Sequence, residues 1–219
     1  MNPREEFYDK GLIVKAFQHD DTFQRFYDIL WAIYTGNVKV GFEMARSKKF
    51  SGAANLEPDV LAYDSVFLDI LKANDIIAFL KELTGRDLIL GKVKVRMNYK
   101  TGKAYTGWHR DTVLYPKFRK GSIPPLINLN YYPCFDKPPE PALLIWSKSH
   151  RKQWDSFWID KLQATLTRPH IKIHTSNDNF TIFDTAHLHD VASTSYEQGA
   201  MRVIYSFCEE FQRGDKSLK

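Results

Sequence analysis

LILGKVKVRMNYK, residues 88–100, is the stretch that decides the fold. In it Val93, Val95, Met97 and Tyr99 alternate with Lys94, Arg96, Asn98 and Lys100, the two-residue period of a strand with one face buried. Short runs of similar character follow downstream: LINLNYY, ALLIW, IKIHT, FTIF and RVIYSF. KTGK, KGSIPP, DKPPEP and SNDN separate them as turn signals.

Upstream the period is helical. LIVKAF (12–17), after Gly11, reads as a first short strand, and DDTFQRFYDILWAIYTG then offers Asp and Thr caps. Phe23, Phe26, Leu30, Ile33 and Tyr34 share one face of that helix, and Gly36 ends it. Residues 37 to 60 are irregular, SKKFSGAANLEP being the most loop-like part. DSVFLDILKANDIIAFLKELTG reads as two helices or one bent helix, capped by Asp64 or Ser65, broken at Asn74 and Asp75, and closed by Gly85. A helical first third leading into at least six short strands predicts an α+β fold with a sandwich or barrel of antiparallel strands, in one domain over 1–219.

Composition narrows the function classes. With 219 residues, 43% hydrophobic, and 15 Phe, 11 Tyr and 5 Trp, the chain can build a real core. The charge of +5 is scattered, with no run of five cations, which disfavours nucleic acid as partner. Cys134 and Cys208 lie in strand-like text and read as reduced core thiols. No signal-peptide h-region and no apolar stretch of about 18 residues is present, so the expectation is a soluble, cytoplasmic protein.

Chemistry enters at GWHRDTVLY, 107–115. A kinase catalytic loop would need Asn five residues after the Asp, where Pro116 stands, and a Gly-rich loop and DFG segment that the sequence lacks. On extended backbone, His109 and Asp111 point to one side and can converge on an ion, with Arg110 turned away. FDTAHLHDVAST supplies His187 and His189 as candidates for a third ligand. Two His and one carboxylate leave three positions open on an octahedron, the facial arrangement of non-haem Fe(II) oxygenases. Arg202, thirteen residues beyond His189, is suited to bidentate capture of a carboxylate such as the distal one of 2-oxoglutarate. Asn128 and Asn130 share one strand face, and with Asn98 they are candidates for its other carboxylate.

Over most of its length the chain resembles the phytanoyl-CoA dioxygenase family of Fe(II)/2-oxoglutarate oxygenases. EEFYDKGLIVKAF resembles that family's opening strand, and DDTFQRFYDIL and FLKELTGRDLIL its helical region. WHRD resembles its His-x-Asp motif, ALLIWSKSHR its Ser-His strand end, and NFTIFDTAHLHDV with Arg202 its last ligand and co-substrate clamp. The resemblance implies a double-stranded β-helix (jelly-roll, cupin-like) with N-terminal helices packed on it. It implies His109, Asp111 and His189 as iron ligands, Arg202 on the 2-oxoglutarate C5 carboxylate, and O2 as oxidant.

His189 is preferred to His187 for its interval from FTIFD and its nearness to Arg202. Two departures stand out. Val191 occupies the place of a small hydroxyl residue, leaving Ser193 or Thr194 to serve, and Ser147-Lys148 replaces the usual Pro-Gly. Among related enzymes a small residue at the Asp111 position marks halogenases, so Asp111 points to hydroxylation.

Trp108 is expected to pack beside the site, and His19, His150, His170 and His174 to be structural. TVLYPKFRKGSIPP, with Lys117, Arg119 and Lys120, reads as a lid whose charge suits an anionic or zwitterionic substrate. Short connections leave little material for a large cap, which points to a small polar metabolite, amino acid or natural product. The rival readings are a zinc hydrolase using the same three ligands and a non-catalytic β-barrel binding module.

Overall fold

The structure, a computed structural model, describes residues 2–36, 44–46, 53–56, 60–98, 107–111, 127–151, 159, 162 and 170–209. In chain order these form α1 (Pro3–Lys10), β1 (Leu12–Ala16), α2 (Asp21–Thr35), β2 (Met44–Arg46), β3 (Ala53–Leu56), α3 (Val60–Tyr63), α4 (Val66–Ala73) and α5 (Ile76–Thr84). They continue with β4 (Leu88–Asn98), β5 (Ile127–Tyr131), β6 (Pro141–Trp146), β7 (His170–His174), β8 (Asn179–Asp184), β9 (His189–Val191) and β10 (Ala200–Glu209). The class is α+β, and every strand pair is antiparallel.

A seven-stranded sheet runs β1-β8-β5-β10-β4-β3-β2, and a three-stranded sheet runs β7-β6-β9. Strand alternation gives the large sheet two different faces. Ile127, Leu129 and Tyr131 on β5, Val95 and Met97 on β4, and Met201, Val203, Tyr205 and Phe207 on β10 join one core with the helix residues Phe26, Leu30, Phe67 and Ile70. Their intervening neighbours, among them Asn128, Asn130, Arg96, Arg202 and Ile204, line a pocket instead. Leu143 of β6 and Val191 of β9 close that pocket from the small sheet.

The helices end as their sequences prescribe. The Asp20 side chain accepts from the Phe23 amide at 2.8 Å, and Gly36 and Gly85 take left-handed conformations at φ 72° and 70°. The 64–85 block is two helices, broken at Asn74 and Asp75, after the single turn α3.

Two expectations need correction. EEFYDKG is helical: Asn2 and Glu5 form a capping box, Pro3 opens α1 and Gly11 closes it at φ 66°. Only Phe7 of α1 is buried, so the helix carries no apolar stripe to announce it. The supposedly irregular 37–60 region contains β2 and β3. β3 is paired to β4 from Ala53↔Asn98 to Leu56↔Val95, so its strand form comes from the neighbouring edge more than from its own residues. The KTGK and KGSIPP turns and the C-terminal RGDKSLK lie outside the described residues. No helix among the described residues is long and apolar enough to cross a membrane.

Gly11 joins the N-terminal helix to the sheet at a point where nothing larger fits. A Cβ there would lie 2.2 Å from His187 Nε2 and 2.7 Å from His150 Nδ1. Gly11→Ala is therefore expected to lose about 1–2 kcal/mol from the left-handed backbone alone, and more from the clash, measured as a fall in denaturant midpoint at unchanged slope.

Candidate metal centre

His109 and His189 are fastened to each other through the backbone. Each donates its N–H to the other's carbonyl at 2.9 Å, so a bridge of one residue pair brings the His-x-Asp segment onto β9. Their imidazole centroids stand 4.3 Å apart. His109 Nδ1 lies 2.8 Å from the Gly107 carbonyl and His189 Nδ1 lies 2.9 Å from the His187 carbonyl. Each Nδ1 thus donates to a carbonyl, and each Nε2 is left facing Asp111. The Nε2 atoms are 3.6 and 3.8 Å from the two Asp111 oxygens. One ligand atom from each of the three residues falls within 4.8 Å of the other two.

Electrostatics keep these groups in the forms a metal needs. Burial pushes the His189 imidazole well below its ordinary value, favouring the neutral ring. Burial alone would raise the Asp111 carboxyl, but its interactions with His189, His109 and the Arg202 and Arg96 guanidiniums outweigh it and hold Asp111 below the usual range. Of these only the arginines are permanent charges, so they keep Asp111 ionised at neutral pH. Asn128 Nδ2 donates to Asp111 Oδ2 at 2.7 Å, and Asn128 Oδ1 accepts from Ser206 Oγ at 2.8 Å, which fixes the carboxylate's orientation from the floor of the large sheet. Two imidazoles and one carboxylate make a donor set fit for a divalent transition metal.

The intervening Arg110 turns away from this cluster, as expected, into a buried position. Its Nη1 donates to the carbonyls of Ser149, at 2.8 Å, and Ala186, locking the segment to the strand ends around it. His187 is not part of the cluster. Its Nε2 meets the Lys10 carbonyl at 2.8 Å and its Nδ1 meets Ser149 Oγ at 3.0 Å, so both ring nitrogens are engaged elsewhere. Burial pushes it down to about 3, leaving a neutral ring that ties α1 to the loop entering β9. Trp108 packs with Trp146 and Leu188 beside the site. Lys148 adopts φ 60° and pairs with Asp9 at 3.3 Å.

The pocket above the triad encloses about 340 Å3 of non-protein space, including the part open to solvent. Asn128, Asn130 and Arg202 line it, and all three are buried. Asn130 Nδ2 donates to Tyr132 Oη at 2.7 Å, and the same hydroxyl bonds to Arg202. Burial raises the Tyr132 hydroxyl to about 12, so it stays protonated. Asn98 is buried but does not line the pocket, and its Oδ1 has no partner among the described residues. Ser193 is exposed, and Thr194 donates to Glu140, so neither hydroxyl lines the pocket. Arg96, unremarked in the sequence except as the polar member of an alternating run, lines the pocket opposite Arg202. The proposed lid, with Lys117, Arg119 and Lys120, lies outside the described residues.

No family model matches the sequence, and no curated protein matches it. Solved structures do. HygX from Streptomyces hygroscopicus, crystallised with nickel, 2-oxoglutarate and hygromycin B, superposes with a TM-score of 0.69 at 12% identity, over 96% of this chain and 88% of its own. SnoN, the non-heme alpha ketoglutarate dependent epimerase from nogalamycin biosynthesis, gives 0.68 at 12% identity, over 94% and 79%. EvdMO1 gives 0.59 at 14% identity, over 95% of this chain and 49% of its own. At these identities the likeness is one of fold.

Because Asn128 alone among the described side chains is seen to donate a hydrogen bond to Asp111, Asn128→Leu is expected to weaken Ni(II) or Fe(II) binding by about 10- to 100-fold. Calorimetric titration of metal-free protein measures this.

Proposed function

We propose that the chain is an Fe(II)- and 2-oxoglutarate-dependent oxygenase of the phytanoyl-CoA dioxygenase-like kind, built on a double-stranded β-helix and working in the cytoplasm. The reaction is oxidation, foremost hydroxylation, of a C–H bond in a small polar metabolite, amino acid or natural product. The observation that carries this reading is the presence in one pocket of His109, Asp111 and His189 with converging ligand atoms and of the buried Arg202. Support comes from the fold shared with HygX and SnoN, the one bound to nickel and 2-oxoglutarate and the other described as alpha ketoglutarate dependent.

His109 and His189 would hold the iron through Nε2 and Asp111 through a carboxylate oxygen. Bound together, iron, 2-oxoglutarate and O2 supply the oxidising chemistry and leave succinate and carbon dioxide. The chain's own part is to orient and enclose. Arg202, steadied by Tyr132, offers a planar fork to the distal carboxylate of the co-substrate. Asn130 lines the pocket with a carbonyl oxygen that has no partner among the described residues, while its amide is committed to Tyr132. Leu143, Phe183, Val191 and Ile204 complete the wall with apolar surface, which limits water near the metal.

The test is anaerobic addition of Fe(II) and then 2-oxoglutarate to metal-free protein, watching for the visible charge-transfer band of the chelate. Wild type is expected to show it. Asp111→Ala should lose it through lost iron. Arg202→Ala should bind iron normally but need at least about tenfold more 2-oxoglutarate, as loss of a charge-assisted bidentate contact demands. Stoichiometric iron without a band in the wild type sinks the co-substrate assignment and brings forward the zinc hydrolase and binding-module readings.

A further inference from the structure

Asp111 is carried by a segment whose backbone joins the sheets, among the described residues, at one bridge, the His109–His189 pair. That bridge does not set the plane of the carboxylate, because the last torsion of an Asp side chain is broad and roughly two-fold. The Asn128 amide that donates to Asp111 Oδ2 has a last torsion of the same kind. One hydrogen bond between two such groups lets them turn together, so the amide needs a second hold of its own.

Ser206 supplies it, its Oγ donating to Asn128 Oδ1 at 2.8 Å. The sense of the relay follows from what each group can offer. A metal-ligating carboxylate only accepts, so it takes an N–H from Asn128, and the amide then turns its carbonyl oxygen to Ser206, which must donate. Hydrogen bonds chained in this way polarise one another. Of the three side chains only serine has a single heavy-atom torsion, so the relay ends on its least mobile member.

The strand beneath Ser206 is held on both sides. Ser206 stands opposite Asn128 on β5 and opposite Lys92 on β4. Cross-strand partners on one face have Cβ atoms about 5 Å apart, within reach of a hydroxyl and an amide. Directly after Ser206 the pairing of β10 with β4 slips, from Ser206↔Lys92 to Phe207↔Leu90, which leaves Gly91 as the extra residue of a bulge. Bulges beside active sites re-aim neighbouring side chains. A Cβ on Gly91 would lie 3.5 Å from the Ser206 carbonyl oxygen and 3.2 Å from Cys208 Sγ, so the backbone at Ser206 is closely backed.

We propose that Ser206 is a positioning residue of the metal centre, whose hydroxyl, acting through the Asn128 amide, fixes the plane in which the Asp111 carboxylate meets the ion. The inference rests on the metal-binding part of the reading above.

A double-substitution cycle tests it. Metal-free wild type, Ser206→Ala, Asn128→Leu and the double variant are titrated with Ni(II) by calorimetry, and the visible bands of the Co(II)-loaded proteins are recorded as a signature of ligand geometry. In the wild-type background Ser206→Ala is expected to weaken Ni(II) binding about three- to tenfold, the scale of one neutral hydrogen bond, and to shift the Co(II) bands. In the Asn128→Leu background the same substitution should change neither, because the relay is already cut. A loss of equal size in both backgrounds makes Ser206 a general support of β10 and overturns the proposal, as do unchanged affinity or unchanged Co(II) bands in the wild-type background. A wild type that takes up neither Ni(II) nor Co(II) overturns the metal-centre reading, and this inference with it.

Discussion

The two-way hydrogen bond between the backbones of His109 and His189 is the constraint on which the site depends. It makes two residues eighty positions apart in sequence into neighbours with a fixed spacing. With both imidazoles further pinned through Nδ1 to main-chain carbonyls, their Nε2 atoms both face Asp111. Asp111 then needs only the next extended step of backbone to join them. Most of the precision of the triad is therefore main-chain precision, and side-chain entropy lost on assembling it is small, since few rotors are left to freeze.

The large sheet supplies the rest by plain alternation. One parity of β4, β5 and β10 feeds the aromatic and aliphatic core under the helices, and the other parity presents Asn128, Asn130, Arg96 and Arg202 to the space between the sheets. Polar side chains can be concentrated there without weakening the core, because no residue serves both faces. A one-residue slip of β10 against β5 would exchange Arg202 for Val203 in the pocket, so the packing of the apolar face also sets the register of the functional one.

Much of this was legible in the sequence. α2 and the broken α4–α5 pair were readable because an apolar stripe and terminal caps agreed, and β4 and β10 because their alternation is long. α1 was hidden because it is held by its caps with a single buried Phe7. β2, β3 and β9 were hidden because three- and four-residue strands take their form from what they pair with. In the site, the His-x-Asp spacing singled out His109 and Asp111 as candidates, and the interval from FTIFD favoured His189 while leaving His187 as an alternative. What separates them is occupancy: the Lys10 carbonyl and Ser149 hydroxyl take up both nitrogens of His187. Arg96 escaped notice because the polar half of an alternating strand reads as a solvent face, and on β4 one member of that half lines the pocket.

The bond from His187 to the Lys10 carbonyl spans 177 residues, and it bears on the order in which the molecule matures. The bond joins opposite ends of the described chain, so it closes a loop of nearly the whole described length, and that closure costs chain entropy. A nascent chain that has not yet extended past residue 189 cannot bring His109, Asp111 and His189 together.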